Sequence, residues 1–208
     1  MIVAIFVVLL GLLAIYKGKF VRKHNLKLYI GFTVVSVLMF VLQDKAFSTP
    51  FVQGFLGLSF YYLVMVAGAL KKGSKVKKSL MGVRREYSIL GFITVLPHTT
   101  KYLLEWFNGE IEFPIYGVIG FVLMIPLFIT SFQSIRKLMT QKSWKRLQSV
   151  AYVIYILLFI HLIINYTERI NLVLYLVLFV SYFVMKIAFE IKKAKEKQMC
   201  SAMKKQTK

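Results

Sequence analysis

The chain has 208 residues, 58% of them hydrophobic, with 28 Lys and Arg against 8 Asp and Glu and a formal net charge of +20. A mean hydropathy of +0.68 is far more apolar than a water-soluble domain of this size requires, so the composition predicts an all-α integral membrane protein. The positive charge does not indicate nucleic acid: it falls in short clusters between apolar runs, with no stacking platform or groove-reading motif nearby, and suits topology signals and contacts with anionic membrane lipid.

Seven apolar runs follow in order, at roughly 2–16, 28–43, 51–70, 87–107, 115–133, 149–167 and 171–190. Most are long enough to cross ~30 Å of hydrocarbon at ~1.5 Å per residue. The first is short. It has no basic leader and no small-residue cleavage site, so it reads as a span that extends past Lys17 by snorkelling, or as a helix lying partly in the interface. The expectation is therefore a polytopic bundle of six to seven transmembrane helices. Residues 1–190 form a single transmembrane domain, and 191–208 form a basic cytoplasmic tail.

The connections alternate in charge. Lys17, Lys19, Arg22, Lys23 and Lys27 follow the first run; Lys71, Lys72, Lys75, Lys77, Lys78, Arg84 and Arg85 follow the third. Arg136, Lys137, Lys142, Lys145 and Arg146 follow the fifth, and the tail adds further lysines. The other connections hold only Asp44, Lys45, Glu110, Glu112, Glu168 and Arg169. The positive-inside rule then puts the N-terminus outside and the C-terminus in the cytoplasm, as a multi-pass protein of the plasma membrane. The longest loop leaves no room for a nucleotide-binding fold, and no G-x-G-x-x-G or P-loop occurs. The one cysteine, Cys200, excludes an internal disulfide and any cysteine-rich metal or iron–sulfur site.

Two of the three histidines lie inside spans: His98 just past the middle of the fourth, and His161 in the outer third of the sixth. His24 belongs to a basic loop and reads as solvated. An imidazole in hydrocarbon is costly unless it is paired, hydrated or bound. The fourth and sixth spans run in the same direction, so the two rings lie within about one to two turns of the same depth, in the outer half of the membrane. Gly91 and Thr94 share the face of His98, where small side chains leave space for a flat macrocycle. Pro97 frees a backbone carbonyl. Lys101 and Tyr102 lie nearer the outer surface, where Lys101 suits a haem propionate, and Asn165 is one turn beyond His161. From the residues alone three readings stay open: axial ligation of haem iron, a proton or metal pathway, and interhelical hydrogen bonding.

Residues 84–103, RREYSILGFITVLPHTTKYL, resemble the Arg-rich entry and His-bearing helix of the ferric-reductase-like transmembrane domain. Residues 126–166, with T-S, I-R-K-L and W-K-R-L ahead of a His-bearing span, resemble the MsrQ/YedZ haem subunit of the methionine sulfoxide reductase system. The likeness covers roughly 50–190. It implies a bundle that binds b-type haem and carries electrons across the membrane, with His98 and His161 as axial ligands. In that family the W-[KR]-x-L run is followed at once by a histidine and by a second about thirteen residues later. Here those positions are Gln148 and His161. Where two-haem relatives carry a cytoplasm-side ligand on the fourth span, this chain has Arg84 and Arg85. One outer haem b is implied and an inner one is not, an arrangement that resembles the six-transmembrane epithelial antigen reductases.

Such a haem lies far from cytosolic NAD(P)H, so electrons must arrive through FMN or FAD, a quinone, or a cytosolic flavin reductase. The basic rim of Arg84, Arg85, Trp144, Lys145 and Arg146 suits an anionic flavin phosphate or an acidic partner, and equally enforces topology. The acceptor would be an extracytoplasmic reductase subunit or a metal ion. The alternative is a non-redox descendant of the same fold, a membrane partner protein or small-solute permease, as the loss of a histidine at Gln148 suggests. The G-x-x-G pairs, Gly54 with Gly57 and Gly117 with Gly120, read as close helix packing.

Overall fold

A computed structural model describes the backbone of residues 1–165 and 169–206, and the side chains of these except 169–171, 197 and 200–206. The expected outer connection at Glu168 and the end of the basic tail lie outside what is described. Among the described residues every regular element is helical. They are α1 (Ile2–Lys23), α2 (Asn25–Val41), a short 3-10 turn (Ala46–Ser48), α3 (Thr49–Val52), α4 (Phe55–Ala69), α5 (Lys75–Phe107), α6 (Ile115–Ile129), α7 (Gln133–Lys137), α8 (Gln141–Gln148), α9 (Ala151–Asn165) and α10 (Arg169–Gln206).

The helices form along the apolar runs, and two of them start where a side chain caps the first turn. Ser74 Oγ accepts from the Lys77 amide at 3.2 Å to start α5, and Thr140 Oγ1 accepts from the Ser143 amide at 3.1 Å to start α8. Pro97 does not end α5, which runs through it as one helix. Three stretches are long and apolar enough to cross a bilayer: Ile2–Lys23, Gln141–Asn165 and Leu172–Glu196. A fourth is formed if Ala46–Val52 and Phe55–Ala69, bent by 40° at their junction, are taken together. Asn25–Val41 and Ile115–Ile129 are apolar but shorter.

α4 is the central helix. It is apolar all round rather than along one stripe, and it is buried on nearly every side, as a helix surrounded by others must be. α5 crosses it where glycines let the backbones close: a Cβ on Gly57 would lie 3.1 Å from Val95 Cβ and 3.3 Å from the Gly91 carbonyl oxygen. α1 covers the same pair and is tied by two polar contacts. The buried Tyr87 hydroxyl donates to the Leu10 carbonyl at 2.7 Å, and Ser59 Oγ reaches the Val3 carbonyl at 3.3 Å. On the other side α6, α9 and α10 pack through Leu127, Tyr155, Leu162, Phe179 and Tyr182. α2 buries only Ser36 and turns Ile30, Val34, Val37 and Val41 outward, as a helix bathed in acyl chains does.

Candidate cofactor site

The sequence places His98 and His161 on different spans, and the fold brings their rings together with centroids 6.2 Å apart and planes at 82°. Two imidazoles that bind one metal from opposite sides, each at about 2.0 Å, place their ring centroids ~6 Å apart. Among the described residues no group of three or more His, Cys, Asp and Glu converges to hold an ion. A pair without a third protein ligand suits a metal that brings its other four donors with it, as porphyrin does.

A break in the chain orients His98. α3 ends at Val52, and Gly54 takes a left-handed φ of 71° to start α4 at a new angle. The break leaves the Val52 carbonyl facing α5, where His98 Nδ1–H donates to it at 3.1 Å. That bond fixes the tautomer and leaves Nε2 with its lone pair. Gly54 also lies flat against the ring: a Cβ there would stand 3.1 Å from His98 Cγ. Tyr102, one turn on, sets its ring edge to His98 at 4.8 Å and donates its hydroxyl to Gln53 Oε1 at 3.0 Å, tying α5 to the same break.

His161 is held differently. Gly117 of α6 approaches its ring so closely that a Cβ would lie 3.1 Å from Cε1. Asn165 Nδ2 donates to the His161 carbonyl at 2.7 Å and to Nδ1 at 3.2 Å. With Nδ1 accepting, the ring proton sits on Nε2. Metal binding at Nε2 would need that proton on Nδ1 and the asparagine oxygen turned towards it, a rotation that an amide side chain allows.

The other expected residues are placed as follows. Lys101, one turn past His98 towards the C-terminal end of α5, pairs with Glu105 at 3.5 Å. The space over Gly91 is filled by Phe60 and Tyr61 of α4, 3.2 and 3.3 Å from where a Cβ would be. Arg85 is bound by the fully buried Glu86, to which its Nε donates at 3.0 Å. Arg146 is exposed on α8.

Arg84, Arg85, Trp144, Lys145 and Gln148 gather at the opposite end of α5 and α9 from the histidines, around a cavity of about 560 Å³. The two helices therefore run in the same direction, with the histidines at one end and the basic residues at the other. Arg136 of α7 completes the basic wall and lies over the Trp144 ring at 4.6 Å; Arg146 does not line it. Tyr61, Phe128 and Tyr155 make the aromatic walls. The Trp144 Nε1–H is buried with no hydrogen-bond partner among the described residues. The walls thus offer flat rings to stack on and donors for oxygen atoms. Arg136, Gly54 and Gly117 were not expected at these sites from sequence. Gly54 carries a signal, since a Thr-Pro start followed by Gly inside an apolar run marks a helix restart.

A helical membrane protein with paired histidines between two co-directional helices is the class that these features define. The chain belongs to the ferric reductase like transmembrane component family, whose model matches residues 53–159, and family membership suggests membrane electron transfer. That stretch includes His98 and Gln148, and ends two residues before His161. An uncharacterized protein of Treponema pallidum (strain Nichols) is 30% identical over 189 residues, covering 81% of this chain and 50% of that protein. Magnetosome protein MamZ of Paramagnetospirillum magneticum is 31% identical over 126 residues, 55% of this chain and 20% of its own. MamZ of Magnetospirillum gryphiswaldense is 32% identical over 126 residues, 55% of this chain and 19% of its own. The chain thus spans half or less of the curated relatives it matches. No solved structure matches it significantly.

Proposed function

We propose that the chain is a multi-pass plasma-membrane electron-transfer protein that holds one haem b between His98 and His161 and passes electrons outward, from a donor at its basic cavity to an extracytoplasmic reductase subunit or a metal ion. The observation that carries this reading is the 6.2 Å approach of two imidazoles on parallel helices. When bound, haem supplies a one-electron iron couple. The Val52 carbonyl presents His98 Nε2, Asn165 steadies His161, and Gly54 and Gly117 let both rings lie close to backbone. Lys101, now paired with Glu105, is the cation placed to meet a propionate. On this reading six to seven of the apolar helices cross the membrane, with the N-terminus outside and the basic cavity on the cytoplasmic side, where FMN or FAD, a quinone, or a flavin reductase would deliver electrons. Gln148, lining that cavity in place of a histidine, argues for one haem and not two.

Protein purified from haem-replete cells is expected to show a b-type reduced-minus-oxidised spectrum that His98→Ala and His161→Ala each abolish. Wild-type protein without that absorbance would sink the reading. Cellular function that survives both substitutions would favour the non-redox alternative.

A further inference from the structure

α10 carries two stripes on opposite faces. Tyr175, Phe179 and Tyr182 are buried and pack towards α4 and α9. Val173, Val177, Val180, Val184, Ile187 and Ile191 face outward, each between 50% and 60% exposed. Their separations alternate between four residues and three, which is the a and d rhythm of a heptad, and every one is β-branched. Within residues 172–187 nothing else on the helix is exposed: Leu172, Leu174, Leu176 and Leu178 are all half-buried. The outward face is therefore one residue wide.

α1 and α2 meet lipid differently. Their exposed residues adjoin one another, as Leu12 does Leu13 and Val34 does Val35, so the face is broad and mixed. Acyl chains impose no period on a helix and accept Leu as readily as Val. A narrow a/d seam is what a second helix requires. Valine and isoleucine hold one χ1 rotamer in a helix, so they lose little freedom when a partner packs on them.

The seam also leaves the apolar stretch with its charges in register. α10 has 38 residues, about 57 Å at ~1.5 Å each, against ~30 Å of hydrocarbon. With Ile187 at d and Ile191 at a, the next d position is the small Ala194. Glu190 then falls at g and Lys195 at e, flanking the seam, while Lys192, Lys193 and Glu196 fall at b, c and f, away from it. In the single chain Glu190 pairs along its own helix with Lys186 and, at 3.9 Å, with Lys193. In a parallel pair each g residue meets the following e residue of the other helix, so two-fold symmetry sets Glu190 of each copy against Lys195 of the other. Copies inserted with one topology are necessarily parallel.

We propose that α10 is a self-association helix: a second copy of this chain packs its own α10 in parallel along residues 173–191, and two Glu190–Lys195 pairs close the end of the seam.

The test places single cysteines in the full chain, with Cys200→Ser, and oxidises membranes with copper phenanthroline. Val180→Cys, Val184→Cys and Ile187→Cys are expected to give a disulfide-linked dimer. Val34→Cys on α2 and Val153→Cys on α9, open to lipid at 54% and 50%, are expected to stay monomeric. Equal cross-linking at all five positions, or none on α10, overturns the proposal. The register is tested by charge. Glu190→Lys is expected to lower cross-linking at Val184→Cys, and adding Lys195→Glu to restore it. No loss, or a loss that the second substitution does not recover, overturns it as well. All these positions are exposed, so the substitutions leave the core intact, and cross-linking is read without haem.

Discussion

His98 is oriented by a backbone carbonyl, and that makes Gly54 the sensitive residue beside it. An Ala at Gly54 would have to hold a left-handed φ of 71° and place its Cβ 3.1 Å from His98 Cγ. The conformation alone costs about 1–2 kcal/mol, and the ring must move as well. Gly54→Ala is expected to lower the thermal midpoint in detergent and to cut haem absorbance per mole of protein. Gly117→Ala, with no backbone penalty, should show the smaller loss in both measurements. The sequence displays these glycines and their spacing but not what they touch. Gly57 does allow close packing of α4 on α5, as its G-x-x-G pattern suggests, whereas Gly91, expected to leave space for a macrocycle, is covered by Phe60 and Tyr61 of α4. Gly54 and Gly117 instead accommodate imidazole rings from other helices, and a partner that distant in the chain leaves no local trace.

Among the elements, α4 and α5 form the crossing on which the rest is assembled. At Gly57 the neighbouring atoms are Val95 Cβ and Cα and the Gly91 carbonyl oxygen, none of which is the free end of a flexible side chain. Gly57→Leu is therefore expected to push the helices apart at a cost of about 1–3 kcal/mol, read as a lower thermal midpoint. Gly68, with nothing near its Cβ position, should tolerate Ala. The seven apolar runs were legible because hydrocarbon demands helices and the charged connections punctuate them. The sequence at 51–70 is one unbroken apolar run. Its helix breaks at Gln53–Gly54, because a Gly in the left-handed region costs nothing and the freed Val52 carbonyl finds His98 as its donor. That the two histidines share a level is readable by counting residues along parallel helices; their approach to one another belongs to the packing, in which Gly117 of α6 lies against the His161 ring. Nothing local distinguishes Arg136 from the other cations of its basic loop; only the fold turns it onto Trp144.

At the scale of the whole molecule, the basic cavity and the histidine pair stand at opposite ends of α5 and α9. Gln148 and His161 are thirteen residues apart, about 20 Å of helix. That distance is a large part of the ~30 Å over which the membrane potential falls. An electron moving from one site to the other would therefore cross much of the field, and the protein would respond to voltage with no charged helix having to move. One charge carried through the whole field is worth about 2.3 kcal/mol per 100 mV, and through half of it about 1.2. With the cytoplasmic side negative, the field favours outward transfer. In proteoliposomes with the basic cavity inside and a donor supplied there, an inside-negative potassium diffusion potential should raise the reduced fraction of the haem spectrum, and reversing the gradient should lower it. A spectrum indifferent to the potential would place donor and acceptor at one depth, contrary to the separation of the cavity from the paired rings.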